Sequence, residues 1–170
     1  MKNLTSLLLC LLLLTGCATF TKARLDAEAD RLCAKDGGAK IYERIYVTPE
    51  QYTKLHDYTP YFFFDNQIKK AFGDGVFIVK REKEFIHGSE GVDDQREPQL
   101  VRYHDQLIRV SDKKVIAEVV QYYRYGSDSS WLPNTVAFSS HYSCPEKNRV
   151  LGDVLDQIFI NSINGGQNEH

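Results

Sequence analysis

The chain has 170 residues, 42% hydrophobic and 12% aromatic, with 21 Lys+Arg against 23 Asp+Glu and a formal net charge of −2. Ten tyrosines and nine phenylalanines point to a folded, aromatic-rich domain and exclude a disordered polyelectrolyte. The sequence has no block of basic residues, which argues against nucleic acid as a partner.

Lys2 is followed by an unbroken apolar run from Leu7 to Leu14 and then by the small residues Thr15 and Gly16. A positive start, a short apolar core and small residues before a cut are the parts of a secretory signal. The residues Leu14-Thr15-Gly16-Cys17 resemble the lipobox of bacterial lipoproteins. The resemblance implies cleavage before Cys17, diacylglycerol on its thiol and acylation of the new amino terminus. A single acyl chain binds a bilayer only marginally, at about 0.8 kcal/mol per buried methylene, so the implied set of chains is what makes the anchor lasting. Ala18 rather than Asp follows the cysteine, which in that family implies the outer membrane, with the domain expected to face the periplasm. An uncleaved spanning helix is the alternative. Polar Thr5, Ser6 and Thr15 interrupt a stretch already near the lower limit of about 17 residues for a span. The expected organisation is therefore signal over residues 1–16, tether over 17–21, one domain over 22–164 and a tail over 165–170.

Cysteine usage agrees with export. Cys10 leaves with the signal and Cys17 takes lipid, so Cys33 and Cys144 remain in an oxidising compartment, where two thiols pair. Their bridge would close a loop of about 110 residues and stabilise the fold by up to about 4–5 kcal/mol in the chain-entropy model. The alternative is two separate buried thiols. There is no CxxC motif to indicate thiol exchange.

From Lys22 to Lys35 the residues are mostly strong helix formers, with Leu25, Ala29, Leu32 and Cys33 on one face, and Gly37 and Gly38 end the run. Ile41 to Val47 alternates aliphatic and aromatic side chains as a strand does. Thr48-Pro49-Glu50-Gln51 is a capping box opening a short helix through about Leu55. Tyr61-Phe62-Phe63-Phe64 is either an exposed aromatic platform or core filling. Buried aromatics dominate core energetics, which favours the core, with Phe72 joining it. Val76 to His87 predicts a strand that emerges into solvent at Lys80–Glu84, and Gly88 to Glu97 a polar loop. Leu100–Val110 and Val115–Tyr125 flank Ser111-Asp112-Lys113-Lys114 as a long hairpin at the centre of an antiparallel sheet. Val136–Phe138 is a possible edge strand. The apolar stripe Val150, Leu151, Val154, Leu155, Ile158 and Phe159 predicts a last helix over 149–161. The fold class this order predicts is α+β: an antiparallel sheet of four or five strands, with the N- and C-terminal helices packed on one face and clamped together by the disulfide.

No catalytic spacing stands out. His56, His87, His104, His141 and His170 form neither HExxH nor another close ligand pair. A metal set of His87, Asp93, Asp94 and His104 competes with a solvated loop, and the loop is preferred; no metal or cofactor is expected. His87-Gly88-Ser89-Glu90-Gly91 lacks the GxSxG spacing, and Ser139-Ser140-His141 is not in itself a triad. Tyr122-Tyr123-Arg124-Tyr125 with Trp131 interleaves aromatics and arginine as a stacking platform for sugars or peptides does, against the plainer reading of one core face and one tyrosine-covered solvent face. The sequence thus predicts a noncatalytic binding or structural module of the cell envelope, held to the membrane through Cys17 and able to meet an envelope protein partner. The alternatives are a hydrolase built on His87, His104 or His141, and a small-ligand carrier with an apolar pocket between sheet and helices.

Overall fold

A computed structural model describes residues 17–57, 64–91, 98–126, 141–146 and 150–163, with side chains from residue 22 onward. The predicted signal, Trp131, Val136–Phe138 and the tail lie outside these residues.

Helix α1 spans Cys17–Asp36, so it begins before the Lys22 start that the sequence suggests. Leu25, Ala29 and Cys33 are its buried stripe, with Leu32 packed beside them. Gly37 donates its N–H to the Cys33 carbonyl at 2.8 Å, and a Cβ there would meet Cys33 Sγ at 2.6 Å, so the tight exit requires glycine.

The predicted Ile41–Val47 strand divides into β1 (Gly38–Ile41) and β2 (Ile45–Val47). The N–H groups of Tyr42 and Glu43 both turn onto the Ile116 carbonyl, which ends the first pairing and redirects the chain. Thr48 then caps helix α2 (Pro49–His56): Gln51 N donates to Thr48 Oγ1, and Thr48 N donates to Gln51 Oε1 at 3.0 Å. Helix α3 (Phe64–Phe72) buries Phe64, Ile68 and Ala71. Phe64 is thus core, as expected, while Tyr61–Phe63 fall outside the described residues. Phe72 packs its ring 5.0 Å from Phe77 and 5.2 Å from Phe159.

Strand β3 (Phe77–His87) leads to the hairpin β4 (Gln99–Arg109) and β5 (Val115–Tyr125), and β6 (Tyr142–Cys144) follows. Among the described residues the sheet is five-stranded and antiparallel, in the order β1-β5-β4-β3, with β6 on the same edge of β5 as β1 but further along it. The hairpin is as expected, closed by Arg109 N donating to the Lys114 carbonyl at 2.9 Å, and Lys80–Glu84 are exposed as predicted. The C-terminal stripe is not one long helix. It forms a 3₁₀ turn (Leu151–Val154), a single α-turn α4 (Leu155–Ile158) and strand β7 (Phe159–Asn161), which pairs in parallel with β2.

The class is α+β, and the sheet is covered on both faces. Leu107, Ala117 and Val119 face the core formed with α2, α3, the 3₁₀ turn and α4. Leu100, Val120 and Tyr122 sit at the alternate positions and face α1. The expectation of a single covered face gives way because β5 is apolar at both parities: Ile116, Ala117, Val119, Val120 and Tyr122 are all buried. Cys33 and Cys144 form the expected disulfide, with Cα atoms 6.0 Å apart. It ties α1 to edge strand β6 rather than to the C-terminal elements.

Candidate functional site

Strand alternation sends the tyrosine–arginine run of β5 to opposite faces. Tyr122 and Arg124, each 2% exposed, lie under α1. Tyr122 donates its hydroxyl to Asp36 Oδ1 at 2.7 Å, Arg102 donates to Asp36 Oδ2 at 3.1 Å, and Arg124 Nε donates to Asp26. Tyr142 in β6 donates to Asp30, which together with desolvation pushes its phenol up to about 12. The acidic face of α1 is therefore latched onto the sheet, and Tyr122 and Arg124, two of the five residues singled out from sequence, are internal.

Tyr123 and Tyr125 project from the other face. Their rings stack with centroids 5.6 Å apart and planes 16° from parallel. Tyr103 of β4 lies opposite Gln121 in register. It meets Tyr123 edge-on at 5.9 Å, and its hydroxyl is 3.0 Å from that of Tyr125. These rings line a cleft of about 370 Å³ together with Phe64, Val119, Gln121, the Val150–Gly152 segment and the Arg81–Asp105 pair. A second hollow of about 250 Å³ shares Tyr103 and Tyr125 and extends toward Lys83, Phe85 and Gln99. The cleft has the size and the mostly apolar lining of a small-molecule site.

Its polar groups are unusual for a closed core. Gln121 is 3% exposed, yet its Nε2 has no hydrogen-bond partner among the described residues. A buried donor left unmade costs about 1–3 kcal/mol, so this amide is set against stability. Burial pushes the Asp105 carboxyl above its ordinary value; Arg81, with Nε 3.6 Å away, pulls it down and the nearby Asp65 pushes it up again. Sequence reading singled out Tyr123 and Tyr125 but missed Gln121, Asp105, Arg81, Tyr103 and the role of Phe64 here. The parity of β5 signals Gln121; nothing local signals the others.

The histidines do not converge. His87 Nε2 lies 3.5 Å from Glu28 of α1, and His104 sits between Glu118 at 3.0 Å and Glu82 at 3.7 Å. His56 Nε2 lies 2.7 Å from Asp156 Oδ1, which also accepts the Tyr52 hydroxyl, joining α2 to α4. His141 is exposed. Among the described residues no three His, Cys, Asp or Glu side chains are grouped to hold a metal; Asp93, Asp94 and His170 lie outside them. Comparison with protein-family models, curated proteins and solved structures finds no match to the chain.

Proposed function

We propose that this protein is a lipid-anchored, noncatalytic binding module of the bacterial envelope, held to the outer membrane through Cys17 and facing the periplasm, with the tyrosine cleft as its binding site. The observation that carries the binding part is the cleft itself: an aromatic wall beside a buried Gln121 whose Nε2 has no hydrogen-bond partner among the described residues. The anchor rests on Leu14-Thr15-Gly16-Cys17. His104 does meet the Glu118 carboxylate at 3.0 Å, but neither it nor His87 lines the cleft or the second hollow, which weighs against the hydrolase alternative.

Two measurements test this reading. Mass spectrometry of protein purified from envelopes should show a mature start at an acylated Cys17, with Cys17→Ala accumulating as precursor; an unmodified Cys17 or another start overturns the anchor. Thermal-shift assays of the anchored protein with fractionated envelope extract should show stabilisation that Tyr123→Ala abolishes. Stabilisation that survives this change places binding elsewhere.

A further inference from the structure

The cleft also indicates what it binds. We infer that it takes a neutral glycan strand carrying acetamido groups, with one N-acetylated sugar ring on the Tyr123–Tyr125 wall and its acetamido carbonyl on the Gln121 amide. This rests on the binding reading of the cleft and specifies its ligand.

Charge comes first. Arg81 and Asp105 line the cleft, and Lys83 and Glu90 line the second hollow, so neither sign is in excess in either. An anion would meet the carboxylates and a cation would meet the arginine and lysine; a neutral ligand meets neither penalty. Shape is the second constraint. Near-parallel rings at 5.6 Å present an aromatic wall to the axial C–H face of a sugar, and planar side chains such as Gln121, Asp105 and Arg81 match vicinal hydroxyls. The acetamido group follows from the neighbours of Gln121. Its Nε2 is a donor in need of an acceptor, and Val119 and Leu151 line the same cleft. A carbonyl attached to a methyl satisfies both, whereas a hydroxyl would leave the apolar side unfilled. Because Tyr103 and Tyr125 are shared with the second hollow, the site continues past one ring, as a strand requires. A peptide would instead be expected at a sheet edge, where its backbone finds partners, and this cleft opens on a sheet face.

The test uses the full lipidated protein in detergent micelles and isothermal titration with chitotetraose and with cellotetraose, which differ only in acetamido against hydroxyl. Chitotetraose should bind, and cellotetraose should bind at least about tenfold more weakly, the ratio that satisfying one buried donor gives. Gln121→Leu should remove that preference and Tyr123→Ala should abolish binding, while circular dichroism confirms that both variants fold. Equal affinity for the two sugars, or a preference unchanged in Gln121→Leu, overturns the inference. If neither sugar binds, the inference also falls. The thermal shift with envelope extract then separates the cases: stabilisation lost in Tyr123→Ala means that the cleft is a binding site for another class, and no stabilisation, or stabilisation that survives Tyr123→Ala, removes the binding reading of the cleft as well.

Discussion

Arg124 of β5 and Asp26 of α1, 98 residues apart in sequence, form an ion pair in which the arginine side chain is 2% exposed and the aspartate 26%. A guanidinium taken out of water needs its carboxylate. Asp26→Ala should therefore destabilise the protein by about 3 kcal/mol, the low end for breaking a buried pair, because Asp26 keeps part of its surface in water. Replacing both partners by apolar residues, as in Asp26→Leu with Arg124→Met, should cost less than Asp26→Ala alone. Urea unfolding of the three proteins checks the order; a double variant weaker than the single one would contradict it.

The disulfide beside this pair makes a separate prediction. Cys33 and Cys144 are 111 positions apart, so their bond removes a large loop from the unfolded ensemble. Cys33→Ser and Cys144→Ser should each cost about 2–5 kcal/mol, and the double variant hardly more, because either change alone breaks the bond. Because α1 is otherwise held by Leu25, Ala29 and the Asp26, Asp30 and Asp36 bonds, reduction should leave the helix docked but exchanging its amide protons faster. Additive losses in melting experiments would contradict a single shared bond.

Acid should unfold the protein through three carboxylates around the hairpin. Hydrogen bonds from Arg109 and then Lys114 hold Glu43 at about 2, below its ordinary 4.5. A hydrogen bond from Arg109 holds Asp112 at about 2. Desolvation works to raise Glu118, but hydrogen bonds from Tyr42, His104 and Lys40 outweigh it and hold this group at about 2 too. A carboxyl depressed in the folded state contributes stability above its unfolded value and loses it as pH falls toward the folded one. The melting temperature should therefore fall between about pH 4.5 and pH 2. Glu118→Gln should flatten that part of the profile; an unchanged slope would mean that Glu118 is not among the groups responsible.

How far the sequence disclosed this arrangement depended on whether a feature is local. The α1 stripe, the Thr48 capping box and the β4–β5 hairpin are written in neighbouring residues, and each was legible. Helix α3 also carries a local signal, since Phe64, Ile68, Ala71 and Phe72 keep helical spacing, but the adjoining aromatic run Tyr61–Phe63 masks that period. Phe159–Asn161 continues a helical stripe and still forms a strand, because pairing with Ile45–Val47, more than a hundred residues earlier, outweighs local preference. The cleft follows the same division. Alternation along β5 placed Tyr123 and Tyr125 together, whereas Phe64, Arg81, Asp105 and Leu151 reach them only through the topology.

The cleft should carry a measurable cost to stability. Burial raises the Asp105 carboxyl above its ordinary 3.8, and Arg81 only partly offsets this. The sign is opposite to that of Glu118: the folded protein holds this proton more tightly than the unfolded chain does. Stability from this group therefore falls as pH rises from the ordinary value through the raised one, and the ionised form burdens the fold at neutral pH. Asp105→Asn should melt higher than wild type at pH 7, and the gain should shrink as pH falls from the raised value toward the ordinary 3.8, as wild-type Asp105 takes up its proton. Binding sites commonly exchange stability for polar groups that wait for a ligand, so on the proposed binding reading the same substitution should weaken ligand binding while strengthening the empty protein. Paired thermal melts of wild type and Asp105→Asn from pH 3 to pH 8 check the sign. A variant that melts lower than wild type at neutral pH would show Asp105 to be a net stabilising partner of Arg81 instead.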